Sequence, residues 1–422
     1  MKGSSSLIAL RYRNFRLLWL GQLISMSGSM MQSAAILWHV SLLVPEEQKP
    51  LALGLVGLVR IVPIVFFSMI SGVVADALDR RKLLLITQSA LTLVAALLAL
   101  VTFGGLRAVW PIYLLAALSS AAGSFDGPAR QSLIPNLVPR EHLPNAISLN
   151  TIMFQAAAVV GPSLAGLTIA SLGVGWVYAI NALSFPAVIA ALLMMRGVTA
   201  QSGNARAEIS LTSALEGLRF VFSMPLIRST MLLDFLATFF SSATALLPIF
   251  AQDILKVGAE GYGWLYAAPS VGALIASAVM VWQADRIHRR GWTLLWAVFG
   301  YGAATVVFGL SRDFWLTFAC LALTGATDTV GMVLRNVIRQ LSTPDHLRGR
   351  MISVNMIFFM GGPQLGELEA GLVASWLGAP ISVVSGGIGC LIVTALIAWG
   401  TPALRAYRRE ERALAGGQTA SA

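Results

Sequence analysis

The sequence predicts an all-α membrane protein with twelve transmembrane helices in two related bundles of six. Three observations lead to this fold class. The 422 residues are 57% hydrophobic and only 11% charged, whereas soluble proteins carry about 25% charged residues. The apolar residues fall into long runs that suit helices better than the strands of a barrel. The two halves of the chain also repeat one another.

Twelve apolar runs are each long enough for a helix to cross a hydrocarbon core of about 30 Å. Short polar stretches separate them, and their ends are defined only to within a few residues. The expected spans are 16–43, 52–75, 83–104, 108–133, 144–172, 176–196, 226–252, 261–284, 292–311, 314–340, 347–376 and 379–401.

The longest internal polar stretch, residues 197–210, separates the first six runs from the last six. Residues 211–222 then carry apolar side chains at helical spacing, and Ser213 and Glu216 fit a capping box. This stretch is expected either to lie on the inner membrane surface as an amphipathic helix or to extend the seventh span. The predicted domains are a six-helix bundle over 1–196, a linker over 197–225, a second bundle over 226–404 and a tail over 405–422.

An internal repeat with an offset of 205 residues supports this division. It runs without a gap from the end of the fourth span to the residue after the fifth, and a chance match in register over this length is improbable. The repeat therefore predicts that a six-helix half has been duplicated. The aligned positions include Arg130 with Arg335, Asn150 with Asn355, residues 161–167 with 366–372, and Gly173 with Gly378.

The charge pattern predicts that both termini lie in the cytoplasm. An even number of spans places both termini on one side, and the loops on that side hold nearly all the arginines and lysines outside the spans. The net charge of +10 is then a property of cytoplasmic loops, and no nucleic-acid partner is expected. The opposite side holds only Lys49, Arg107, Lys256 and Arg312.

No sequence feature predicts an enzyme or a cofactor. The two cysteines, Cys320 and Cys390, both lie in apolar runs, so we expect neither a disulfide nor a metal site. The chain has no G-x-x-x-x-G-K-[ST] loop, which argues against direct coupling to ATP.

Ionisable side chains inside the spans are the main functional candidates, because a charge at this depth is costly unless it is paired or used. Asp126 and Arg130 share a face of the fourth span at an i,i+4 spacing. They are expected either to pin the span as an ion pair or to act as a gate or proton-linked pair. Asp328 and Arg335 share a face of the tenth span. The full set is Arg60, Asp126, Arg130, Asp234, Asp328, Arg335, Arg339, Glu367 and Glu369.

All of these except Arg60 and Arg339 are candidates for proton coupling or for a charge that lines the cavity. Asp234 lies inside the seventh span with no basic residue three or four positions away, so it faces a cavity or pairs with another helix. Glu367 and Glu369 lie deep in the eleventh span and, two residues apart, point to nearly opposite faces. At most one of these two is expected to face the central cavity, where it would bind a proton or a cationic substrate.

A short polar island, residues 72–82, separates the second and third spans. On composition alone it is a cytoplasmic loop whose charges face water. The island resembles the G-x-x-x-D-x-x-x-R-R motif found at this position in major facilitator superfamily transporters. The matching residues are Gly72, Asp76, Arg80 and Arg81, while Asp79 replaces a glycine often found before the basic pair.

This resemblance implies the major facilitator fold and transport by alternating access. It further implies that Asp76 engages the start of the eleventh span and holds the cytoplasmic side closed in the outward-facing state. The residues of this predicted conformational latch are Gly72, Asp76, Arg80, Arg81, Arg348 and Arg350.

The fifth span resembles exporters of the same superfamily. Gly161, Pro162 and Gly166 are similar to a G-P-x-x-G motif, although ordinary close packing of small residues is the alternative. Three further stretches resemble the branch that contains enterobactin exporters and macrolide efflux proteins. They are residues 125–135, 145–150 and 348–350.

The resemblance implies a multi-pass, monomeric protein of the bacterial inner membrane whose partners are a small-molecule substrate, protons and the bilayer. The expected function is export of an amphipathic molecule by proton antiport, in siderophore export or multidrug resistance. Alternatives are a lipid or lysophospholipid flippase, a proton-coupled importer, and a non-transporting scaffold or sensor. The intramembrane carboxylates disfavour the scaffold, and the sequence does not identify the substrate.

Overall fold

The computed structural model describes residues 7–196, 218–283, 286–344 and 347–408, and every regular element among them is a helix. Side chains of residues 68–70, 72–73, 75–77, 349–350, 353 and 357 lie outside this description. The twelve long helices are α1 (Arg13–Leu43), α2 (Lys49–Ala77), α3 (Arg80–Phe103), α4 (Trp110–Leu133), α5 (Leu143–Leu172), α6 (Val174–Met194), α7 (Pro225–Ser241), α8 (Gly258–Gln283), α9 (Arg290–Leu310), α10 (Phe314–Ser342), α11 (Arg348–Leu377) and α12 (Ala379–Gly400).

Nine helical stretches of the described residues are long and apolar enough, by length and composition, to cross a membrane. They fall in α2, α3, α5 to α10 and α12. The chain is therefore an all-α, multi-pass membrane protein, as the sequence predicts. The helices α1, α4 and α11 are richer in polar and small residues and fall outside this group, so their membrane crossings remain a prediction.

The seventh predicted span contains a break. The helix α7 ends at Ser241, and the chain continues through a 3-10 turn, Thr244–Leu246, and a π-helix, Phe250–Ile254. Pro248 contributes to the break, because its nitrogen has no hydrogen to donate to a carbonyl one turn earlier. Hydrophobicity alone could not show this, since Pro225–Ile254 counts as one span by length and hydropathy.

The chain forms two compact units, and the first comprises Met1–Glu208 together with Pro248–Ala267. In this unit α1 packs on α5 and α6, α3 packs on α4 and α6, and α2 packs on α4. Its largest apolar cluster includes Phe15 and Leu18 of α1, Leu84 of α3, Leu133 of α4 and Leu192 of α6. Inside a bilayer such contacts stabilise through close van der Waals packing, because lipid tails are themselves apolar.

The second unit comprises Ile209–Leu247 and Ala268–Ala422. Here α9 packs on α10 and α12, and α7 packs on α11 and α12. The apolar core joins Leu233 of α7, Leu294 of α9, Leu334 of α10 and Cys390 of α12.

The predicted amphipathic helix over 211–222 lies mostly outside the described residues. Residues 218–223 are helical, and Val221 packs in a buried cluster with Ile227 and Met231 of α7 and Met351 of α11. This end of the stretch therefore packs against the second unit, and the surface location predicted for the rest stays a prediction.

The two units share a glycine turn at the positions that the sequence repeat aligns. Gly173 joins α5 to α6 with φ 94° and ψ 168°, and Gly378 joins α11 to α12 with φ 88° and ψ 154°. Side chains other than hydrogen are strained in this backbone region, so glycine is required at both turns. The shared geometry supports two structurally related halves.

Candidate functional site

A buried set of charged side chains connects α7 and α10 in the second unit. Asp234 of α7 is 3% exposed, and Arg335 and Arg339 of α10 are each 2% exposed. Arg335 Nη2 lies 2.9 Å from Asp234 Oδ1, and Arg339 Nη2 lies 3.2 Å from Asp234 Oδ2. Each oxygen of the Asp234 carboxylate therefore has its own guanidinium partner.

Arg335 also contacts a second carboxylate. Its Nη2 lies 2.9 Å from Oδ1 of Asp328, two turns earlier on α10, and the Asp328 side chain is 39% exposed. We call Asp234, Asp328, Arg335 and Arg339 the charge network. Its two positive and two negative charges sum to zero, which matters because an uncompensated buried charge costs several kcal/mol.

Arg339 extends the charge network to polar groups on two further helices. Its Nε donates to Thr230 Oγ1 at 3.2 Å, and its Nη2 donates to the Thr230 carbonyl at 2.9 Å. Its Nη1 donates to Asn355 Oδ1 of α11. The guanidinium therefore ties α10 to both α7 and α11.

The geometry resolves alternatives that the sequence left open. The Asp328–Arg335 pair follows from their shared helix face, and Asp234 pairs with another helix. Thr230 and Asn355 were not among the sequence candidates. The sequence holds a weak signal for each of them. Thr230 lies one turn before Asp234 on the same face of α7, and Asn355 is aligned with Asn150 in the repeat.

In the first unit, Asp126 of α4 is a fully bonded carboxylate. Its Oδ2 pairs with Arg130 one turn later. Its Oδ1 accepts from Gln88 Nε2 at 2.7 Å and from Thr87 Oγ1 at 3.2 Å, both on α3. This arrangement favours a structural role for the pair, in which Asp126 holds α4 against α3.

The repeat places Arg130 and Arg335 at equivalent positions with different partners. The position equivalent to Asp126 is Gly331, and a Cβ built there would lie 2.9 Å from Arg335 Nη1. The missing side chain leaves room for the guanidinium, which pairs with Asp234 of α7 instead. The two halves thus use one arginine position for different chemistry.

The carboxylates of α11 are not fully exposed. Glu367 is buried and Glu369 is half-buried. Next to them, a Cβ built on Gly366 would lie 2.9 Å from Ser242 Cβ, so α11 runs very close to the end of α7. Their predicted roles in proton or substrate binding stay predictions.

The polar island folds as a tight turn between α2 and α3. Asp79 caps α3, because its Oδ1 accepts from the Arg81 amide at 2.9 Å and from the Lys82 amide at 3.4 Å. Arg80 Nη1 donates to the Ser132 carbonyl at 2.9 Å. Arg81 Nη2 donates to the Leu193 carbonyl at 3.2 Å. The basic pair therefore holds α3 to the ends of α4 and α6.

The remaining latch residues cannot be placed in full. The side chains of Gly72, Asp76 and Arg350 lie outside the described residues, and Arg348 is exposed at the start of α11. The latch between the island and α11 therefore stays a prediction.

The G-P-x-x-G segment lies at two close helix contacts of the first unit. A Cβ built on Gly161 would lie 2.6 Å from Met30 Cβ and 2.7 Å from the Ser27 carbonyl of α1. A Cβ built on Gly166 would lie 2.7 Å from the Ala259 carbonyl in the first turn of α8. Pro162 lies between the two glycines, inside α5.

An ion pair of a buried lysine in the first unit was not predicted from sequence. Lys49, at the start of α2, is 8% exposed, and its Nζ lies 3.4 Å from Asp253 Oδ2 in the π-helix. Gln252 Nε2 donates to Ser41 Oγ at 2.8 Å, and the Tyr262 hydroxyl donates to the Ala34 carbonyl at 2.8 Å. These bonds fasten the segment Pro248–Ala267 to α1 and α2.

We expect unequal effects from the two halves of this ion pair. Asp253→Asn should destabilise the protein by about 1–3 kcal/mol, because it leaves the buried Lys49 ammonium without a counter-charge. Lys49→Met should cost less, since the Asp253 side chain is 37% exposed and can be hydrated. Thermal unfolding in detergent measures the difference, with Glu47→Gln on the exposed neighbouring turn as control. Equal losses in both variants would contradict this account.

Among the residues that the structure describes, no three His, Cys, Asp or Glu side chains are placed to hold a metal ion.

Solved structures with this helical architecture define the class of protein. A bacterial homologue of the iron transporter ferroportin, in an inward-facing state, aligns with TM-score 0.68 and 17% identity over 92% of this chain and 99% of its own. A POT family transporter in complex with 5-aminolevulinic acid aligns with TM-score 0.73 and 10% identity over 93% of this chain and 96% of its own. The chain therefore shares the fold of these transporters.

Within this class the family is defined by sequence. The chain belongs to the transmembrane secretion effector family, whose model matches residues 4–413. The enterobactin exporter EntS of Escherichia coli O1:K1 / APEC is 28% identical over 341 residues, which cover 81% of both chains. EntS of Shigella boydii serotype 18 matches to the same extent. The predicted relationship to enterobactin exporters is confirmed.

Proposed function

We propose that this chain is a secondary active exporter of an amphipathic small molecule of the siderophore or drug class. It works as a monomer in the bacterial inner membrane with both termini in the cytoplasm, and it exchanges substrate for protons by alternating access. Membership of the secretion effector family and the similarity to enterobactin exporters support export. The charge network is the observation that supports coupling to protons.

Arg335 is the shared element of the charge network, because it bonds both Asp234 and Asp328. Protonating Asp234 would break ion pairs to two arginines, whereas protonating Asp328 breaks one. Asp328 is also the most exposed of the four side chains. We therefore assign proton entry to Asp328, with Glu367 and Glu369 of α11 as the other candidates.

A proton on Asp328 changes the sum of the network charges from zero to plus one. The buried guanidinium groups then compete for the single carboxylate of Asp234 on α7. Since α7 and α10 are tied through these bonds, this change would alter the relative stability of two arrangements of the helices. A proton drives transport only through such a difference between states.

Transport in inside-out membrane vesicles tests the proposal. The vesicles are given a panel of siderophores, including enterobactin, and amphipathic drugs, with and without an acidic lumen. We expect at least one compound to accumulate in the lumen only when the pH gradient is present, and vesicles lacking the protein serve as control. Accumulation that ignores the gradient, substrate movement in the opposite direction, or movement of lipid alone would contradict the proposal.

The predicted latch has its own test. Asp76→Asn should slow export several-fold, because loss of the charge unbalances the two states that the latch holds apart. The measurement is initial efflux rate at equal protein level, with the exposed Glu141→Gln as a matched control. Efflux at the wild-type rate in Asp76→Asn would rule out the latch.

A further inference from the structure

Arg60 is a charged residue in the middle of α2 and has no part in the proposed proton coupling. It lies roughly 16 Å along the helix from Lys49, at 1.5 Å per residue. A hydrocarbon core is about 30 Å thick, so the Arg60 Cα lies near mid-depth. A charge at that depth is by default a functional-site hypothesis.

The helical pattern places Arg60 on the side of α2 that packs against protein. Leu53 and Val56, seven and four residues earlier, are both fully buried. The exposed side chains Leu51 and Val62 lie on the opposite side of the helix, as expected for 3.6 residues per turn. Arg60 Nη2 donates to the Ser33 carbonyl of α1 at 3.4 Å. The guanidinium therefore points toward α1.

The Arg60 charge has no counter-charge among the described side chains. No carboxylate oxygen of these residues lies within 4.0 Å of its guanidinium, whereas Arg130, Arg335 and Arg339 each contact a carboxylate. A guanidinium has five N–H donors, and only the single long bond to Ser33 uses one. Because Arg60 is half-buried, its remaining donors are available to a ligand.

Two buried polar side chains form a hydrogen-bonded pair between α1 and α6. Tyr178 of α6 carries one of them, a buried hydroxyl. That hydroxyl lies 3.2 Å from His39 Nδ1 of α1, and both side chains are buried. Among the described residues no carboxylate pairs with the Arg60 guanidinium, so an anion bound here would supply the missing charge.

We infer that Arg60 binds an oxyanion on the transported molecule, such as a carboxylate or a phenolate, and thereby selects anionic amphipaths over neutral or cationic ones. This inference rests on the proposed export function. The planar guanidinium fork matches a carboxylate through two parallel hydrogen bonds, which a lysine cannot reproduce. The electrostatic attraction is strong at mid-depth because little water screens it.

Equilibrium binding to the purified full-length protein in zwitterionic-lipid nanodiscs tests the inference. The probes are 2-naphthoate, an aromatic carboxylate, and 2-naphthamide, its uncharged analogue. Wild-type protein should bind the carboxylate more tightly than the amide. Arg60→Gln should weaken carboxylate binding about tenfold to a hundredfold and leave amide binding unchanged, the size expected for a lost charge-assisted pair. Arg60→Lys should bind the carboxylate with an affinity between those of wild type and Arg60→Gln. The control Arg107→Gln, at an exposed position, should bind both probes as wild type does.

Three results would overturn the inference. They are equal wild-type affinity for the two probes, unchanged carboxylate binding in Arg60→Gln, and displacement of the carboxylate when anionic lipid is added to the nanodiscs, since the site would then hold a lipid headgroup. If Arg60→Gln does not fold, Arg60→Lys supplies the comparison. Binding needs no gradient, so Arg60-dependent binding without proton-driven transport would reject the export proposal alone.

Discussion

Replacing Asp234 with asparagine should destabilise the protein by about 3–5 kcal/mol and remove most of it from the membrane. The substitution leaves Arg335 and Arg339, each 2% exposed, with only Asp328 as a negative partner. Asp328 contacts Arg335, so the buried Arg339 guanidinium loses its carboxylate partner. Protein level in the membrane and thermal unfolding in detergent measure the loss, and Glu260→Gln, an exposed carboxylate at the start of α8, is the matched control.

A second substitution separates charge imbalance from a simple packing defect. Adding Arg339→Gln to Asp234→Asn leaves Asp328 and Arg335 as a neutral pair, and glutamine can still bond Thr230 and Asn355. We expect the double variant to recover much of the lost stability. A double variant less stable than Asp234→Asn alone would contradict the role of charge balance.

Replacing Asp328 with asparagine should abolish proton-driven accumulation of substrate while the protein still folds. Arg335 keeps its 2.9 Å contact with Asp234, so no arginine loses its last carboxylate. Without a titratable group at Asp328, the carboxylate left in the network is Asp234, whose protonation would break ion pairs to two arginines. In proteoliposomes we expect gradient-driven uptake to fall by at least about tenfold, a loss of 1.4 kcal/mol or more. Substrate exchange without a gradient should persist.

The carboxylates of α11 are the alternative proton sites. Glu367→Gln is measured beside Asp328→Asn, with Glu260→Gln as control. Loss of coupling in Glu367→Gln alone would move the proton site to α11. Full coupling in both variants would show that neither carboxylate carries the proton.

Hydrophobic run length was enough to predict an all-α, multi-pass membrane protein. This signal is local in the sequence. The break after Ser241 was missed because the few polar residues there do not lower the hydropathy of the stretch Pro225–Ile254 below that of a span. The fastening of Pro248–Ala267 to the first unit was missed for another reason. It depends on the contact between Lys49 and Asp253, which lie 204 residues apart.

The candidate site was predictable where partners lie on one helix. The pairs Asp126–Arg130 and Asp328–Arg335 follow from helical spacing. The contact between Asp234 and Arg339, 105 residues apart, depends on how α7 packs against α10, and no local pattern encodes that packing. The unbalanced charge of Arg60 was hidden for a similar reason, since only the structure shows which side chains surround it.

Proton movement driven by a substrate gradient alone shows whether the protein exchanges substrate for protons. Proteoliposomes are loaded with a transported siderophore and a lumenal pH dye, then diluted into substrate-free buffer at the same pH. We expect substrate that leaves the lumen to drive protons inward and acidify the lumen. Asp328→Asn should stop this acidification, although substrate still crosses the membrane by exchange. Substrate efflux from wild-type protein with no change in lumenal pH would contradict proton antiport through the charge network.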